Sequence, residues 1–403
     1  MRTGRHCPLC GAYKPETLTT LEFTQERNAI LPATYHVVRC RTCGFVYDDV
    51  AVEADVFDSY YAVSGKYVQR GIGGSGDISA VDRKRYEGII KFLKPVLRGT
   101  SIAIADVGCG KGGLLRMFKE HGYSSLHGFD PSSACVDIVE HEHGISATCA
   151  GIGDLSDRPG KFELITILNV FEHLFSVHDA IDAIDSILQD NGYVYVDVPD
   201  GSRYHEWFYA PYYSFDMEHI NHFNVSTMEC LWTKHGYKCI KAEELTGTPV
   251  PGRHIPMCRL LFQKKGGGGA KSRWHVKGLA EGVHKFIEQS RQVESKLEKK
   301  CFPDAKYYWG CGAYAKWMLS RFANTTLGNP LAIVDTGARR SFGNCVKGIP
   351  IIRPSDMDGI VDQNHAMIIT SVLYEKQIFA RLKELGWSGP VYSGASGRRK
   401  CLI

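Results

Sequence analysis

Ile102-Ala-Ile-Ala-Asp-Val-Gly-Cys-Gly-Lys-Gly-Gly113 reads as strand, tight turn and helix. The apolar run Ile102 to Val107 supplies a buried strand. The glycines let the backbone bend sharply and approach a ligand closely, and Leu114, Leu115 and Phe118 begin a helical face. A small molecule is expected across that turn.

Glycine spacing alone leaves two ligand classes open. Gly108, Gly110 and Gly113 satisfy the dinucleotide pattern, whereas Gly108, Gly110 and Gly112 satisfy the G-x-G-x-G of class I methyltransferases. Charge separates them. A dinucleotide lays an anionic pyrophosphate on the helix N-terminus, and a carboxylate at the strand end, Asp106, would repel it. S-adenosylmethionine instead carries an ammonium and a sulfonium, which Asp106 attracts. About twenty residues past the loop, Asp130 closes a second strand in Leu126-His-Gly-Phe-Asp-Pro131, where an acid can accept both ribose hydroxyls. The cofactor-binding set is therefore Asp106, Gly108, Cys109, Gly110, Asp130 and Pro131. Asp154 is added as a partner for the adenine amine or a helix cap, Leu155 as a packing face for the base, and Asn169 at the end of a later strand.

The 403 residues exceed one ordinary core, 44% hydrophobic content is that of a globular protein, and the formal charge is only +4. No stripe of Lys and Arg with interleaved aromatics points to nucleic acid. No apolar segment is long enough to span a bilayer and no signal-peptide core is present, so a cytoplasmic location is expected and the 14 cysteines read as metal ligands and buried thiols. Cys7-Pro-Leu-Cys10-Gly and Cys40-Arg-Thr-Cys43-Gly repeat one form. Four sulfurs suit tetrahedral, structural zinc, with strand-like filling around Thr20 to Phe23 and Tyr35 to Val38, as in a zinc ribbon.

Asp48 to Tyr67, followed by Gly71 to Gly76, reads as a surface linker, with a flap over a ligand as the alternative. A helix over Val81 to Leu97 leads to the motif strand. Further strands and helices alternate to Tyr193–Val198, which is expected to complete the sheet. Glu218, His219 and His222, within about one helical turn, form the chemically richest cluster: Glu218 can charge-match an imidazole and His219 is a candidate general base. His173, in Asn169-Val-Phe-Glu-His173, is a candidate donor at the strand ends. Gly266 to Gly269 is a hinge, and beyond it a smaller α/β unit follows, with a short Gly310-Cys-Gly312 turn and a strand ending in Asp335. The expected domains are a zinc-binding ribbon over 1–55, a class I Rossmann-like domain over 56–265 and a second, smaller Rossmann-like domain over 266–403.

This order of parts resembles the bacterial sugar C-methyltransferases that act on nucleotide-linked deoxy-ketosugars. The likeness rests on the two cysteine pairs, Asp106-Val-Gly-Cys-Gly110, Asn169 to His173, Glu218-His219, Trp309-Gly-Cys-Gly-Ala-Tyr-Ala-Lys316 and Gly348-Ile-Pro-Ile351. It implies S-adenosylmethionine and zinc as cofactors, a nucleotide-linked sugar as partner, no nucleic acid or membrane, and His219 with Glu218 as the base. One departure is that Asp216 and Met217 stand where the family has a tyrosine and a histidine, and His222 where an aromatic is expected. Tyr212 or Tyr213 is then the candidate replacement hydroxyl. The acceptor stays open between carbon beside a ketone and a sugar hydroxyl, with a non-catalytic nucleotide-binding protein as the alternative of another class. Oligomeric state is not legible.

Overall fold

The computed structural model describes residues 4–26, 29–63, 78–157, 161–265, 276–299, 302, 305–337, 345–396 and 399–400. Two compact units result: 1–16, 38–203 and 220–282 form the first, and 17–37, 204–219 and 283–403 the second. The hinge expected at Gly266–Gly269 and the loop from Tyr67 to Gly76 lie outside the described residues.

The chain opens with strands β1 (Pro15–Glu22), β2 (Thr34–Cys40) and β3 (Val46–Asp49), then helices α1 (Ala54–Val63) and α2 (Ala80–Leu93). Helix α1 corrects the expectation of a linker. Its acidic and tyrosine content hid an apolar side, from which Phe57 is fully buried. Helix α2 is capped by Ser79, whose side chain accepts the amide of Asp82. It ends short of Leu97.

In the first unit β4 (Ile104–Val107), α3 (Gly113–Glu120), β5 (Leu126–Asp130), α4 (Ser133–His143), β6 (Ser146–Cys149), β7 (Phe162–Leu168), α5 (Val177–Ile187) and β8 (Leu188–Pro199) alternate as the sequence suggests. They are followed by β9 (Asn221–His222), α6 (Val225–Lys234), β10 (Tyr237–Val250) and β11 (Arg253–Lys264). The sheet order is β10-β11-β8-β7-β4-β5-β6. Tyr193–Val198 therefore does not complete the sheet. β11 runs antiparallel to β8, and β10 antiparallel to β11. The readable signal was the two-residue turn Pro251-Gly252, with Gly252 at φ 74°, between two long strands.

Strands β5 and β7 flank β4 on opposite sides, both parallel to it, so the order reverses at β4 and a crevice opens beyond its C-terminal end. One face of the sheet is packed by Tyr86, Ile89, Ile90 and Leu93 of α2 with Leu114 and Phe118 of α3, over Ile104, Leu164, Tyr195 and Leu261. Burying side chains of this size stabilises by about 1.5–3 kcal/mol each, which fixes the loop after β4.

In the second unit α7 (Leu279–Lys299) precedes β12 (Ala305–Trp309), α8 (Ala313–Arg321), β13 (Ala332–Val334), β14 (Cys345–Val346), β15 (Ile349–Ile352), β16 (Ala366–Ile369), α9 (Glu375–Glu384), β17 (Val391–Ser393) and β18 (Arg399–Lys400). Strands β15, β13, β12, β16 and β17 are parallel neighbours, as a second Rossmann-like unit requires. No described helix is long and apolar enough to cross a membrane.

Candidate active site

The turn after β4 is built by conformations few residues other than glycine adopt. Gly108, Gly110 and Gly112 have φ of 72°, 52° and 74°. A Cβ at Gly108 would meet Val170 at 2.5 Å, whereas one at Gly110 would meet nothing within 4 Å. The turn is thus packed from below and open above. Asp130 at the end of β5 ties it down: one carboxylate oxygen accepts the Gly110 amide at 2.8 Å and the other the Ser132 amide at 2.9 Å. Each oxygen keeps a lone pair for a ribose hydroxyl. Burial pushes the Asp130 carboxyl above its usual range. Cys109 is buried and Pro131 is partly exposed beside Asp130.

Asp106 is buried at 3% exposure and accepts a 2.6 Å hydrogen bond from the Thr166 hydroxyl. Burial pushes its carboxyl up to about 7, against the Thr166 hydrogen bond. A cation brought to Asp106 is matched only by the ionised form. Affinity for S-adenosylhomocysteine, whose ammonium supplies that cation, is therefore expected to be about tenfold weaker at pH 6 than at pH 8. In the unliganded protein the same group works in the opposite sense. A raised carboxyl pKa means that the folded state holds the extra proton, so its contribution to stability declines as pH rises from the ordinary carboxylate range through about 7. Calorimetric titration across pH checks this, and Asp106→Asn should flatten the profile; a flat wild-type profile would contradict the assignment.

Asn169 follows β7 at φ 51°, an αL conformation that asparagine tolerates. Its amide nitrogen donates to Glu172 at 3.1 Å and its amide oxygen accepts from Arg85 at 2.6 Å. His173 closes the 3-10 turn Phe171–His173 that follows, and its Nδ1 lies 3.0 Å from the Tyr61 hydroxyl of α1. The Asp58 carboxyl of α1 is pushed up by burial and by Asp154. Helix α1 thus reaches His173 through Tyr61. Asp154 is exposed at a kink of the 3-10 turn Ile152–Asp157, and Leu155 beside it is buried.

His222 does not share a helical turn with Glu218 and His219. It lies on β9, fully buried, with Nε2 3.4 Å from Asp48. Glu218 and His219 belong to the second unit, in a non-helical turn where one Asp216 oxygen accepts both their amides, at 2.8 and 2.9 Å. The departure at Asp216 therefore has a structural role: a short carboxylate shapes the turn. Tyr212 donates its hydroxyl to Glu294 at 2.8 Å within that unit, so it is committed there.

The sequence reading missed Arg85, Thr166, Glu172 and Asp197. Asp197 accepts two 3.1 Å contacts from Arg85 and one from the Tyr195 hydroxyl at 3.3 Å. Its position at the end of β8 was the usable signal.

In the cysteine cluster, Cys7 and Cys43 sulfurs are 3.6 Å apart, as are those of Cys10 and Cys40, and all four lie within 4.8 Å of one another. Tetrahedral zinc with Zn–S of about 2.3 Å puts sulfurs about 3.8 Å apart, so the set fits. Both knuckles repeat one hydrogen-bond pattern: Gly11 N to Cys7 O and Gly44 N to Cys40 O, each 2.8 Å, with φ of 73° and 85° at the glycines.

The first unit has the class I, Rossmann-like α/β fold expected from the sequence. Residues 81–242 match the family model described as a methyltransferase domain. Curated relatives include the tRNA U34 carboxymethyltransferase of Helicobacter pylori (strain Shi470), 32% identical over 23% of this chain and 39% of that protein. Its namesake in Campylobacter fetus subsp. fetus is 29% identical over 31% and 47%. The chain spans less than half the length of these relatives. Similar solved structures include an S-adenosylmethionine dependent methyltransferase from Mesorhizobium loti (16% identity, TM-score 0.36, 43% of this chain and 96% of that one). Another is the magnesium protoporphyrin IX methyltransferase from Synechocystis PCC 6803 (12% identity, TM-score 0.38, 54% and 99%).

Proposed function

We propose that the protein transfers a methyl group from S-adenosylmethionine to a nucleotide-linked sugar, at carbon beside a ketone. One observation carries the nucleotide part. In the second unit Asp335, at the end of the second strand, accepts the Cys311 amide from the first turn at 2.8 Å and the Gly337 amide at 2.7 Å. That is the arrangement of Asp130 with Gly110 and Ser132, and burial raises both carboxyls. A turn and acid arranged to hold one ribose thus occur twice, one for the donor and one for a nucleotide on the acceptor.

The bound donor supplies an electrophilic methyl group on a sulfonium. Asp106 balances its positive charge and Asp130 accepts its ribose hydroxyls. His219, charge-matched by Glu218, removes the proton from the acceptor carbon. His173, oriented by Tyr61, donates to the oxygen on which negative charge then develops. On a sugar hydroxyl the same base suffices without that donor, so loss of the His173 side chain separates carbon from oxygen acceptors. Zinc on Cys7, Cys10, Cys40 and Cys43 is structural, since four protein ligands leave no open position.

Mass spectrometry after incubation with labelled methyl donor and a panel of nucleotide-ketosugars, nucleotide-sugars and unmodified tRNA tests the reading. Label on a ketosugar carbon is expected. Label on tRNA alone would move the function to that of the curated relatives, and label on a hydroxyl would establish O-methylation. Asp130→Ala is expected to weaken S-adenosylhomocysteine by about ten- to hundredfold in calorimetry, the loss typical of hydrogen bonds to a charged acceptor. Tight binding of NAD instead would refute the cofactor assignment.

A further inference from the structure

We propose that Arg85 is the residue that recognises the donor's α-carboxylate, and that with Asp106 it makes the crevice selective for an intact amino-acid end. This rests on the reading of the crevice as an S-adenosylmethionine site. That ligand ends in a zwitterion, an ammonium and a carboxylate on one carbon. A site lined only by acids would hold the first and repel the second. The crevice is acidic: Asp106, Asp130, Glu172 and Asp197 are all buried. The guanidinium that hydrogen-bonds into this group comes from α2, the helix preceding the motif strand.

Its hydrogen bonding is one-sided. Nη2 makes all three contacts, to Asn169 Oδ1 at 2.6 Å and to the two Asp197 oxygens at 3.1 Å each. Nε and Nη1 make no hydrogen bond among the described residues, and the side chain is 40% exposed while its partner Asp197 is 5% exposed. Asp197 and Asn169 thus take one nitrogen, and Nη1 and Nε each keep N–H donors for a charge-assisted hydrogen bond to a second carboxylate. Arg85 is also close enough to Asp106 for its charge to oppose the upward push of burial on that carboxyl. An anion-binding and a cation-binding group therefore lie side by side, as the two charges of the zwitterion do.

The test is calorimetry with two probes, S-adenosylmethionine and decarboxylated S-adenosylmethionine, on wild type, Arg85→Met and Arg85→Lys. Wild type is expected to prefer the intact donor by about ten- to hundredfold. Arg85→Met should lose that preference while binding the decarboxylated probe within about threefold of wild type. Arg85→Lys keeps a charge beside Asp197 and loses the fork, so it should fold as wild type and retain only part of the preference. It carries the test if removal of the charge leaves Asp197 unpaired and Arg85→Met fails to fold. Equal weakening of both probes in either variant, or no preference in wild type, would overturn the assignment. Wild type binding neither probe is a different result, and would take the cofactor reading with it.

Discussion

His219→Ala is expected to abolish methyl transfer while leaving affinity for S-adenosylhomocysteine within about twofold of wild type. Removing a general base typically costs 10²- to 10⁴-fold, about 3 to 5 kcal/mol of barrier. A surface histidine costs far less. Asp216 fixes the backbone by accepting the amides of both Glu218 and His219, so the imidazole is presented from a defined turn. His219 itself is only partly buried. Turnover and binding are to be measured on the same variant with the ketosugar that the labelling panel identifies. A drop in turnover below about fivefold would class His219 with packed histidines. The search for a base would then move to His173, which meets the Tyr61 hydroxyl, rather than to His222, whose ring is fully buried against Asp48. Tyr61→Phe is a useful companion: it keeps the ring of α1 and removes only the hydroxyl partner of His173, so a tenfold loss of turnover would assign that hydroxyl to orienting His173.

The alternating core of the first unit was legible because its strands are continuous apolar runs bounded by glycine, aspartate or proline. Phe162–Leu168 is the clearest case, and its observed limits match the sequence reading. The acids at strand ends were legible for the same reason: Asp106 and Asp130 stand where an apolar run stops. What escaped was of two kinds. Strands β10 and β11 form long, mixed-polarity stretches, because an antiparallel edge hairpin exposes one face and so lacks the apolar run that marks a buried parallel strand. The partners Arg85, Asp197 and Tyr61 escaped because each is an ordinary polar residue in its own element. They acquire a role only when tertiary structure brings α2, β8 and α1 to one crevice. His222 shows the converse: adjacency in sequence suggested a cluster, but the two-residue strand β9 turns its ring against Asp48 of the chain before α1.

Stripping the metal from the cysteine cluster is expected to cost methyl transfer far more than it costs cofactor binding, through Arg5. This residue lies two positions before Cys7 and is 5% exposed. Its guanidinium donates to the carbonyls of Leu174 at 3.0 Å, Phe175 at 2.7 Å and Ile220 at 3.1 Å, and to the Asn221 side chain at 3.0 Å. Asn221 in turn donates to the Phe171 and Leu174 carbonyls at 2.9 and 2.7 Å. The knuckle is therefore stitched to both ends of the turn that carries His173, and to the residue that follows His219 in the chain. Burial pulls the guanidinium down to about 10, opposed first by Asp48, so this is a desolvated cation held by carbonyls rather than a surface charge. Structural zinc supplies folding energy directly, about 10–16 kcal/mol in isolated finger peptides. Without it Cys7, two residues from Arg5, loses its anchor, and only the Asp49 and Tyr47 contacts to the Arg5 backbone remain on that side. Wild type should carry one zinc per chain, and Cys40→Ser none, by elemental analysis. The metal-free protein should bind S-adenosylhomocysteine within about threefold of wild type, because the Asp130 and Gly110 contacts do not involve the knuckle, yet turn over at least tenfold more slowly. Arg5→Met, with its four cysteines intact, should keep the zinc and show the same split. Full turnover in Arg5→Met would break the link between the knuckle and the His173 turn, and absence of metal from wild type purified without chelator would refute the zinc itself.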